Sequence, residues 1–304
     1  MNKAASHDAV ILGGASACAM AGFAGGPRAV DVDIVVPVYN EQAELGSSII
    51  AIVQRMRELA CGEMPCSWQM VIADNASCDN TWWIARSIAQ AYPREVRAMR
   101  LDRKGRGLAL KCAWGESRAQ VVAYMDVDLS TDLDHLVDLV RPLLDGSVDV
   151  AFGSRLLPAS RVTRCMKREL ISRAYNRMLQ RYLGVSFRDA QCGFKAMSSE
   201  AASMLLPRIV DDEWFFDTEL LVLAERAGLA TREIPVTWVE DAGSTVHIID
   251  TVRKDLAGMR RLKHGARGND GRGAPLFDGR TLQQADGGAP APSRCMRREG
   301  AGVR

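Results

Sequence analysis

Between Val32 and about His264, short runs rich in β-branched residues alternate with longer segments whose apolar residues recur at helical spacing. The short runs predict five strands: Asp33–Val36, Gln69–Ala73, Val96–Leu101, Val121–Met125 and Val148–Phe152. The longer segments predict four helices between them: Glu41–Leu59, Asn80–Ala91, Gly107–Arg118 and Leu133–Leu143. This alternation is typical of an α/β protein with an open, mainly parallel sheet and helices on both faces.

The ends of the chain differ from this middle part. We interpret residues 1–30, which are rich in alanine and glycine, as a flexible tail, with a cleaved signal peptide as the alternative. Residues 31–264 form the predicted domain, and residues 265–304 read as a disordered basic tail. Because no apolar run meets the criterion for a spanning helix, we expect a cytoplasmic protein, with contact at the cytoplasmic membrane face as a further possibility.

Composition limits the classes of function. Apolar residues make up 47% of the 304 residues, which is enough for a sizeable core. The formal charge of +2 is nearly balanced, so we do not expect nucleic acid as a partner. Any anion must therefore bind at a local site.

Two carboxylates follow the predicted strand Val121–Met125 directly. Asp126 and Asp128 are separated by one residue, so in an extended backbone both side chains point to the same face. Their charges repel each other unless a cation lies beside them, and oxygen ligands suit Mg²⁺ or Mn²⁺. The pattern predicts a metal site that holds a diphosphate and stabilises it as a leaving group. A loop with two solvated aspartates is the alternative.

Polar residues also follow the first two predicted strands. Pro37, Tyr39, Asn40 and Glu41 end the first, and Asp74 ends the second. Ligands of open α/β sheets bind beyond the carboxyl ends of the strands, so these residues are candidates for binding a base or ribose. For Glu41, capping of the following helix explains the residue equally well.

A basic loop precedes the third predicted helix. Lys104, Gly105 and Arg106 lie just before Gly107, and a glycine-rich helix start with cations favours a phosphate. We therefore count them as donor-binding candidates. A solvated basic turn is the other interpretation.

Several motifs, in order along the chain, resemble those of family-2 glycosyltransferases with the GT-A fold. Within that family they resemble the dolichyl-phosphate β-glucosyltransferases, whose nearest relatives are the dolichyl-phosphate mannose synthases. The first four are the segments 35–41, Asp74, 105–107 and 125–130. The others are the segments 153–155, 188–195, 214–221 and 238–244. The likeness covers roughly residues 32–262, and an ordered set is far more specific than any single motif.

The resemblance implies an inverting transfer of a hexose from a UDP-glucose or GDP-mannose type donor to a polyprenyl phosphate. Pro37, Tyr39, Glu41 and Asp74 would hold the nucleoside, and Asp126 and Asp128 the metal and diphosphate. The sequence departs from the family at Asn75-Ala76, where a second acid and a glycine are usual. We therefore expect nucleoside recognition to differ from that of the family at this position.

The second half of the chain should then bind the acceptor. Gln191, Gly193 and Lys195 lie in a motif that would form a turn facing the sugar, although an ordinary hairpin corner fits as well. Trp214 either stacks on the sugar or fills the core. Asp217 either contacts the substrate or caps the helix that it begins.

A segment between Arg164 and Leu183 has apolar residues at helical spacing with arginines four apart on its flank. Arg173 and Arg177 are our acceptor-binding candidates from this flank. The helix either lies on an anionic membrane or packs against the core with a solvated basic edge.

A phosphate acceptor is already anionic near neutral pH, so transfer to it needs no strong general base. Arg155 and Arg106 would then clamp the leaving diphosphate. A soluble hydroxyl acceptor is the first alternative, and it would need Asp217 or Asp189 as a base. A non-catalytic protein that binds sugar nucleotides is the second.

Overall fold

The computed structural model describes residues 18–21, 29–240 and 248–265. The predicted tails lie outside these ranges except at Cys18–Ala21, which forms a strand, and at residues 29–30 and 265. Flexibility of the remaining tail residues stays a prediction. The last part of the motif at 238–244 also lies outside the described residues.

One large sheet forms the centre of the described structure. Its strands are β1 (Cys18–Ala21), β2 (Val32–Val38), β3 (Trp68–Asp74), β4 (Val96–Leu101), β5 (Val121–Met125), β6 (Val150–Ser154), β8 (Phe194–Ser198) and β9 (Thr231–Pro235). The separate strands β7 (Arg161–Thr163) and β10 (Thr237–Val239) pair in parallel beside it.

The strand order is β1-β4-β3-β2-β5-β8-β6-β9. Strands β4, β3, β2 and β5 are parallel, and Val38 at the end of β2 lies opposite Asp74 at the end of β3. Strand β8 runs antiparallel between β5 and β6, so Phe194 lies opposite Met125. The motif that we interpreted as a turn therefore enters a central strand next to the two aspartates.

The helices are α1 (Leu45–Cys61), α2 (Thr81–Ala91), α3 (Arg106–Glu116), α4 (Leu136–Leu144), α5 (Met166–Leu183), α6 (Ser199–Leu205), α7 (Phe216–Arg226) and α8 (Ile248–Gly265). Short 3-10 turns at Leu133–His135 and Leu206–Arg208 precede α4 and follow α6.

Alternation along β2 shows how the sheet is covered. Ile34 and Val36 pack in one apolar cluster with residues of α1, α2 and α4. Val35 points to the opposite face and packs in a second cluster with residues of α3, α6 and α7. A strand that is apolar on both faces is expected for a parallel sheet covered by two helical layers. The predicted fold class is confirmed.

The predicted elements are present with shifted ends. Helix α1 begins at Leu45, four residues after the predicted start, because residues 42–44 form a turn. The first predicted turn of α4 is 3-10 helix, and β6 begins two residues later than predicted. Among the described residues, no helix is long and apolar enough to cross a bilayer.

Candidate active site

The carboxyl ends of β2, β3 and β5 share an unusual backbone feature. Of the described residues other than glycine, those with positive φ are Asn40 (58°), Ala76 (60°) and Leu129 (51°). Each lies in the loop that follows one of these three strands. Such backbone costs free energy in L-residues and concentrates at functional sites. Three neighbouring loops are thus held in sparsely populated conformations at one edge of the sheet.

Asp126 and Asp128 lie in the loop after β5, just as the sequence pattern placed them. They converge by a route different from the predicted one: β5 ends at Met125 and a turn begins at Val127, which is buried. The Ser130 amide donates a hydrogen bond of 3.0 Å to Asp128 Oδ1 and fixes that carboxylate. Both aspartates reach the same pocket through this turn.

The pocket brings together five of the residues predicted for the site. Asp126, Asp128, Arg155, Gln191 and Gly193 line it. The remaining lining residues are Met125, Leu129, Ser130, Thr131 and Trp238. Carboxylates, a guanidinium and an amide therefore face one cavity at the carboxyl edge of the sheet, where α/β sheets bind ligands.

Gly193 is tightly fitted against Asp126. The Asp126 amide donates to the Gly193 carbonyl at 3.1 Å. A Cβ on Gly193 would lie 1.7 Å from Asp126 Oδ2, which is far closer than non-bonded atoms can approach. Only glycine leaves room for the carboxylate in this position.

Arg106, the first residue of α3, bridges two carboxylates. One of its terminal nitrogens lies 2.5 Å from Asp126 Oδ1 and the other 2.7 Å from Asp217 Oδ2. The guanidinium carbon lies 4.9 Å from the centre of the Trp214 ring and 5.2 Å from that of Tyr124. A planar guanidinium suits this bridge, because its donors point in fixed directions.

The Asp126 carboxyl is crowded by protein atoms, although 42% of its side chain is exposed. This crowding, together with the charges of Asp128 and Asp217, raises its pKa above the ordinary value against the opposing effect of Arg106. A cation beside Asp126 and Asp128 would favour the ionised form of both carboxyls.

A second layer of charge lies behind Arg106. Lys195 Nζ is 3.0 Å from Asp217 Oδ1 and donates to the Cys192 carbonyl at 2.6 Å. The Tyr124 hydroxyl also donates to Asp217. Burial raises the pKa of Asp217, but the charges of Lys195 and Arg106 outweigh it and the pKa lies below its usual value. Asp126, Arg106, Asp217 and Lys195 form a row of alternating charge.

Two residues predicted for the site, Lys195 and Asp217, lie behind the pocket. Lys195 is fully buried and therefore lies behind the pocket rather than in it. Asp217 is also buried, and Arg106 connects it to Asp126 at the pocket. The assignment of Lys195 to acceptor binding and of Asp217 to catalysis stays a prediction, and in this conformation both act through other residues.

Arg155 and Asp189 form a second ion pair beside the pocket. Arg155 Nε and one terminal nitrogen donate to the two Asp189 oxygens at 2.8 and 2.9 Å. Burial raises the pKa of Asp189, but the Arg155 charge and its hydrogen bonds outweigh this and lower the pKa to about 2. The Arg155 guanidinium carbon lies 5.4 Å from the Trp238 ring centre, at the pocket wall.

The loops after β2 and β3 are tied together at the predicted nucleoside end. The Asn40 amide donates to Ser77 Oγ, and the Cys78 amide donates to Asn40 Oδ1, both at 2.9 Å. Asp74 is fully buried and accepts from the Ser77 amide at 3.1 Å. Its Oδ2 lies 3.5 Å from Arg100 Nε but accepts no hydrogen bond from the described residues. Asp74 thus retains an acceptor at this end of the sheet.

The glycines of the basic loop serve close packing. Added Cβ atoms on Gly105 and Gly107 would lie 2.8 Å from the Asp212 carbonyl and 2.7 Å from Phe216 Cβ. The Gly105 amide donates to Asn75 Oδ1 at 2.7 Å, which gives the unusual Asn75 a role within the protein. These contacts place Arg106 at the site, and they leave the predicted phosphate contact of Gly105 untested.

The remaining donor-side predictions lie at or just after the ends of β2 and β4. Lys104 Nζ lies 3.6 Å above the centre of the Tyr39 ring, and Pro37 is part of β2 next to the Val38–Asp74 pair. The Glu41 amide donates to Thr81 Oγ1, so the segment after β2 is anchored to the start of α2.

Three of the predicted acceptor-side residues have exposed side chains. Trp214 is 45% exposed, so it covers Arg106 rather than filling the core. Arg173 and Arg177 lie on the exposed side of α5, where Arg173 pairs with Glu169.

The sequence analysis gave no place in the site to Tyr124, Asn75 or Trp238. Tyr124 stands two residues before Asp126, and this spacing places both on one side of the chain near the end of β5. A hydroxyl within an otherwise apolar strand was therefore a usable signal. Asn75 and Trp238 lie in segments that the sequence analysis singled out, but their partners lie far away in the sequence, so the pattern did not assign either residue a place in the site.

Comparison with solved structures identifies the fold. Glucosyl-3-phosphoglycerate synthase from Mycobacterium tuberculosis, in complex with Mn²⁺, UDP-glucose and phosphoglyceric acid, superposes with a TM-score of 0.57. The match has 20% sequence identity and covers 78% of this chain and 80% of that one. A complex of the same enzyme with UDP matches at 22% identity and a TM-score of 0.56, over 77% of this chain and 80% of that chain. The fold is that of the GT-A glycosyltransferases.

The sequence comparisons define the family. The model described as "Glycosyl transferase family 2" matches residues 33–206. The chain belongs to glycosyl transferase family 2.

Two curated relatives extend the likeness. Glycosyltransferase AglD of Haloferax volcanii is 38% identical over 230 residues, which are 76% of this chain and 36% of AglD. The dolichyl-phosphate β-glucosyltransferase of Dictyostelium discoideum is 27% identical over 240 residues, 75% of this chain and 73% of that protein. The chain thus spans about a third of AglD and about three quarters of the Dictyostelium discoideum protein.

Proposed function

We propose that this glycosyltransferase transfers a hexose from a nucleoside-diphosphate sugar to a polyprenyl phosphate with inversion of the anomeric centre. The observation that carries the proposal is the pairing of both candidate general bases. Asp217 is held by Lys195 and Arg106, and Asp189 is held by Arg155. Neither carboxylate is placed to accept a proton, which favours an acceptor that is already anionic.

A phosphate monoester fits this requirement, since its second pKa is about 6 and its oxygen is largely ionised at neutral pH. The protein then has to hold that oxygen in line with the anomeric carbon and to stabilise the leaving diphosphate. Arg155 lines the pocket and Arg106 lies beside Asp126, so both are positioned to bind phosphate oxygens. The names of the dolichyl-phosphate relatives support the same class of acceptor.

Asp126 and Asp128 fit a divalent cation, either Mg²⁺ or Mn²⁺. Both line one pocket, and the described residues contain no cluster of three or more acidic, histidine or cysteine side chains that could hold an ion alone. Two carboxylates completed by substrate phosphates are a common arrangement for Mg²⁺. A bound cation would offset the negative charge that develops on the diphosphate. Mn²⁺ is named with the structural relative.

The donor in this proposal is UDP-glucose, with a GDP-mannose type donor as the alternative. Pro37, Tyr39, Asn40, Glu41 and Asp74 would bind the nucleoside. The available acceptor atom of Asp74, Oδ2, matches a ring N–H of uracil or guanine. The glucosyltransferase names of the relatives, together with the UDP-glucose in the structural relative, favour the uridine donor.

A lipid acceptor places the reaction at the cytoplasmic face of a membrane, with the protein bound peripherally. Lys104 and Gly105 would lie on the donor side of the site, and Gln191, Gly193 and Trp214 on the acceptor side. Gln191 and Gly193 line the pocket, which supports this division. Lys195 would support the acceptor side from behind.

Transfer of radiolabelled glucose from UDP-glucose tests the proposal. With Mn²⁺ and a polyprenyl phosphate, we expect label in the organic phase after extraction. The same assay with 3-phosphoglycerate, the acceptor class named for the structural relative, should leave little labelled product. Label found only in aqueous products would overturn the lipid acceptor.

A matched pair of variants tests the metal site. Asp128→Asn should lower transfer about a hundredfold or more and weaken binding of Mn²⁺. Asp138→Asn removes an exposed carboxylate on α4 and should leave both unchanged. Equal activity of the two variants would contradict the assignment, and metal-dependent binding of donor without turnover would favour a non-catalytic binding protein.

A further inference from the structure

Helix α5 presents a row of apolar side chains to solvent. Met166, Leu170, Ala174 and Met178 are spaced four residues apart, so they lie along one side of the helix. Met166 is 84% exposed and Leu170 is 70% exposed, and Ala174 and Met178 are exposed as well. Among the described residues, the row is most exposed at Met166 and Leu170 and is more covered at Met178, which is 36% exposed. A contiguous exposed apolar row adds little to the core and is typical of an interaction surface.

A row of arginines runs beside it. Arg173, Arg177 and Arg181 are also four residues apart and exposed. The helix contains five cations and one carboxylate, so its formal charge is +4. That carboxylate, Glu169, is already paired with Arg164 and Arg173. The outer surface of α5 is therefore both apolar and strongly positive.

The inner side of α5 holds the loop that carries the site. Asn176 Oδ1 accepts from the Ala190 amide at 3.0 Å, and Gln180 Nε2 donates to the Phe187 carbonyl at 2.9 Å. Ala190 lies between Asp189 and Gln191, which belong to the pocket region. Whatever binds the outer side of α5 is thus one helix diameter, about 10 Å, from the loop that would meet the acceptor.

We propose that the outer side of α5 binds the surface of an anionic bilayer, with the apolar row in the headgroup region and the arginine row on lipid phosphates. The proposal rests on the lipid acceptor proposed above, and it identifies the element that brings the pocket to the membrane. Charge complementarity favours an anionic bilayer over other partners. The arginine row matches the negative lipid phosphates, and the apolar row matches the acyl region beneath them. A second copy of the chain would set two rows of arginines against each other.

Vesicle flotation of the full-length protein tests this proposal. We expect binding to vesicles of phosphatidylcholine with phosphatidylglycerol, weaker binding to phosphatidylcholine alone, and loss of binding at high salt. Met166→Ser/Leu170→Ser removes apolar area without touching the core and should weaken vesicle binding about tenfold. The matched control Ile50→Ser/Trp83→Ser removes exposed apolar side chains from α1 and α2 and should bind like the wild type.

Transfer assays separate this proposal from the proposed function. The Met166→Ser/Leu170→Ser variant should glucosylate a short, water-soluble prenyl phosphate at the wild-type rate and lose activity on a long-chain acceptor embedded in vesicles. Wild-type protein that prefers neutral vesicles, or a serine variant that binds like the control, would overturn the role of α5. A wild-type dimer that this variant dissociates would also overturn it, since a second copy would then cover the row. Failure of the wild-type protein to glucosylate the short acceptor would instead contradict the proposed function.

Discussion

Lys195 Nζ lies 3.0 Å from Asp217 Oδ1, and both side chains are almost completely removed from solvent. The pair lies behind Arg106, whose guanidinium reaches from Asp217 to Asp126. Lys195 thereby keeps Asp217 ionised, and Asp217 in turn orients the arginine beside the pocket. Lys195, which the sequence analysis assigned to the acceptor side, thus stabilises the carboxylates of the site from behind.

Replacement of Lys195 tests this support. Lys195→Met leaves the Asp217 carboxylate buried without its ammonium partner and should lower the free energy of unfolding by about 3 kcal/mol. Transfer should fall as well, because Asp217 then competes with Asp126 for Arg106. Urea unfolding and initial rates of transfer measure the two effects.

The double variant Lys195→Met/Asp217→Asn serves as the control for buried charge. It removes both members of the pair, so it should recover part of the lost stability without restoring full transfer. Unchanged stability in the single variant would contradict the role assigned to the pair.

Substitution of Gly193 should separate activity from stability. A Cβ in Gly193→Ala would overlap the Asp126 carboxylate, which is the end of a side chain and can rotate away. We expect transfer to fall about a hundredfold, while the free energy of unfolding changes by less than about 1 kcal/mol. An alanine variant with normal rates would show that the observed position of Asp126 is not the active one.

Two glycines of α3 provide a matched test of packing. Gly107→Ala would place Cβ 2.7 Å from Phe216 Cβ, and neither atom can move without shifting a helix, so we expect destabilisation of about 1–3 kcal/mol. Gly115→Ala has open space around the new Cβ and should stabilise the same helix by up to about 1 kcal/mol. Thermal unfolding of the two variants checks the opposite signs. Similar effects of both would mean that the contact with Phe216 is loose.

The contact between α8 and α5 predicts a dependence of stability on pH. Asp255 is buried and hydrogen-bonded to Tyr175, and burial raises the pKa of its carboxyl from 3.8 to about 6. The folded protein therefore holds this proton more tightly than the unfolded chain. Stability should fall as pH rises from about 4 to about 6, by about 3 kcal/mol for this group, and stay level above.

Asp255→Asn removes the titrating group while an amide oxygen still accepts from Tyr175. Its stability should change less between pH 4 and pH 7 than that of the wild type, and it should exceed the wild type at pH 7. Urea unfolding across this range measures both curves. Parallel curves for the two proteins would show that Asp255 does not titrate there.

Local patterns were sufficient for much of the fold. The parallel strands and the helices between them were predictable, because buried strands and amphipathic helices leave periodic signals in short segments. The placement of polar residues at the ends of β2, β3 and β5 followed from the rule that loops at this edge carry the site. Strand β8 was missed, since an antiparallel strand inserted between β5 and β6 depends on contacts between distant segments.

The chain by itself determined the α/β class, the Asp126–Asp128 pair and, through its ordered motifs, membership of the glycosyltransferase family. These features are local, so residue type and spacing are enough to identify them. Only the tertiary structure decided that Lys195 lies behind the pocket, that Asp217 and Asp189 are paired with cations, and that the apolar row of α5 points outward. Each of these depends on which distant residues meet and which side of an element is covered. Spacing along a chain does not determine that, because burial and charge pairing arise only when the elements pack together.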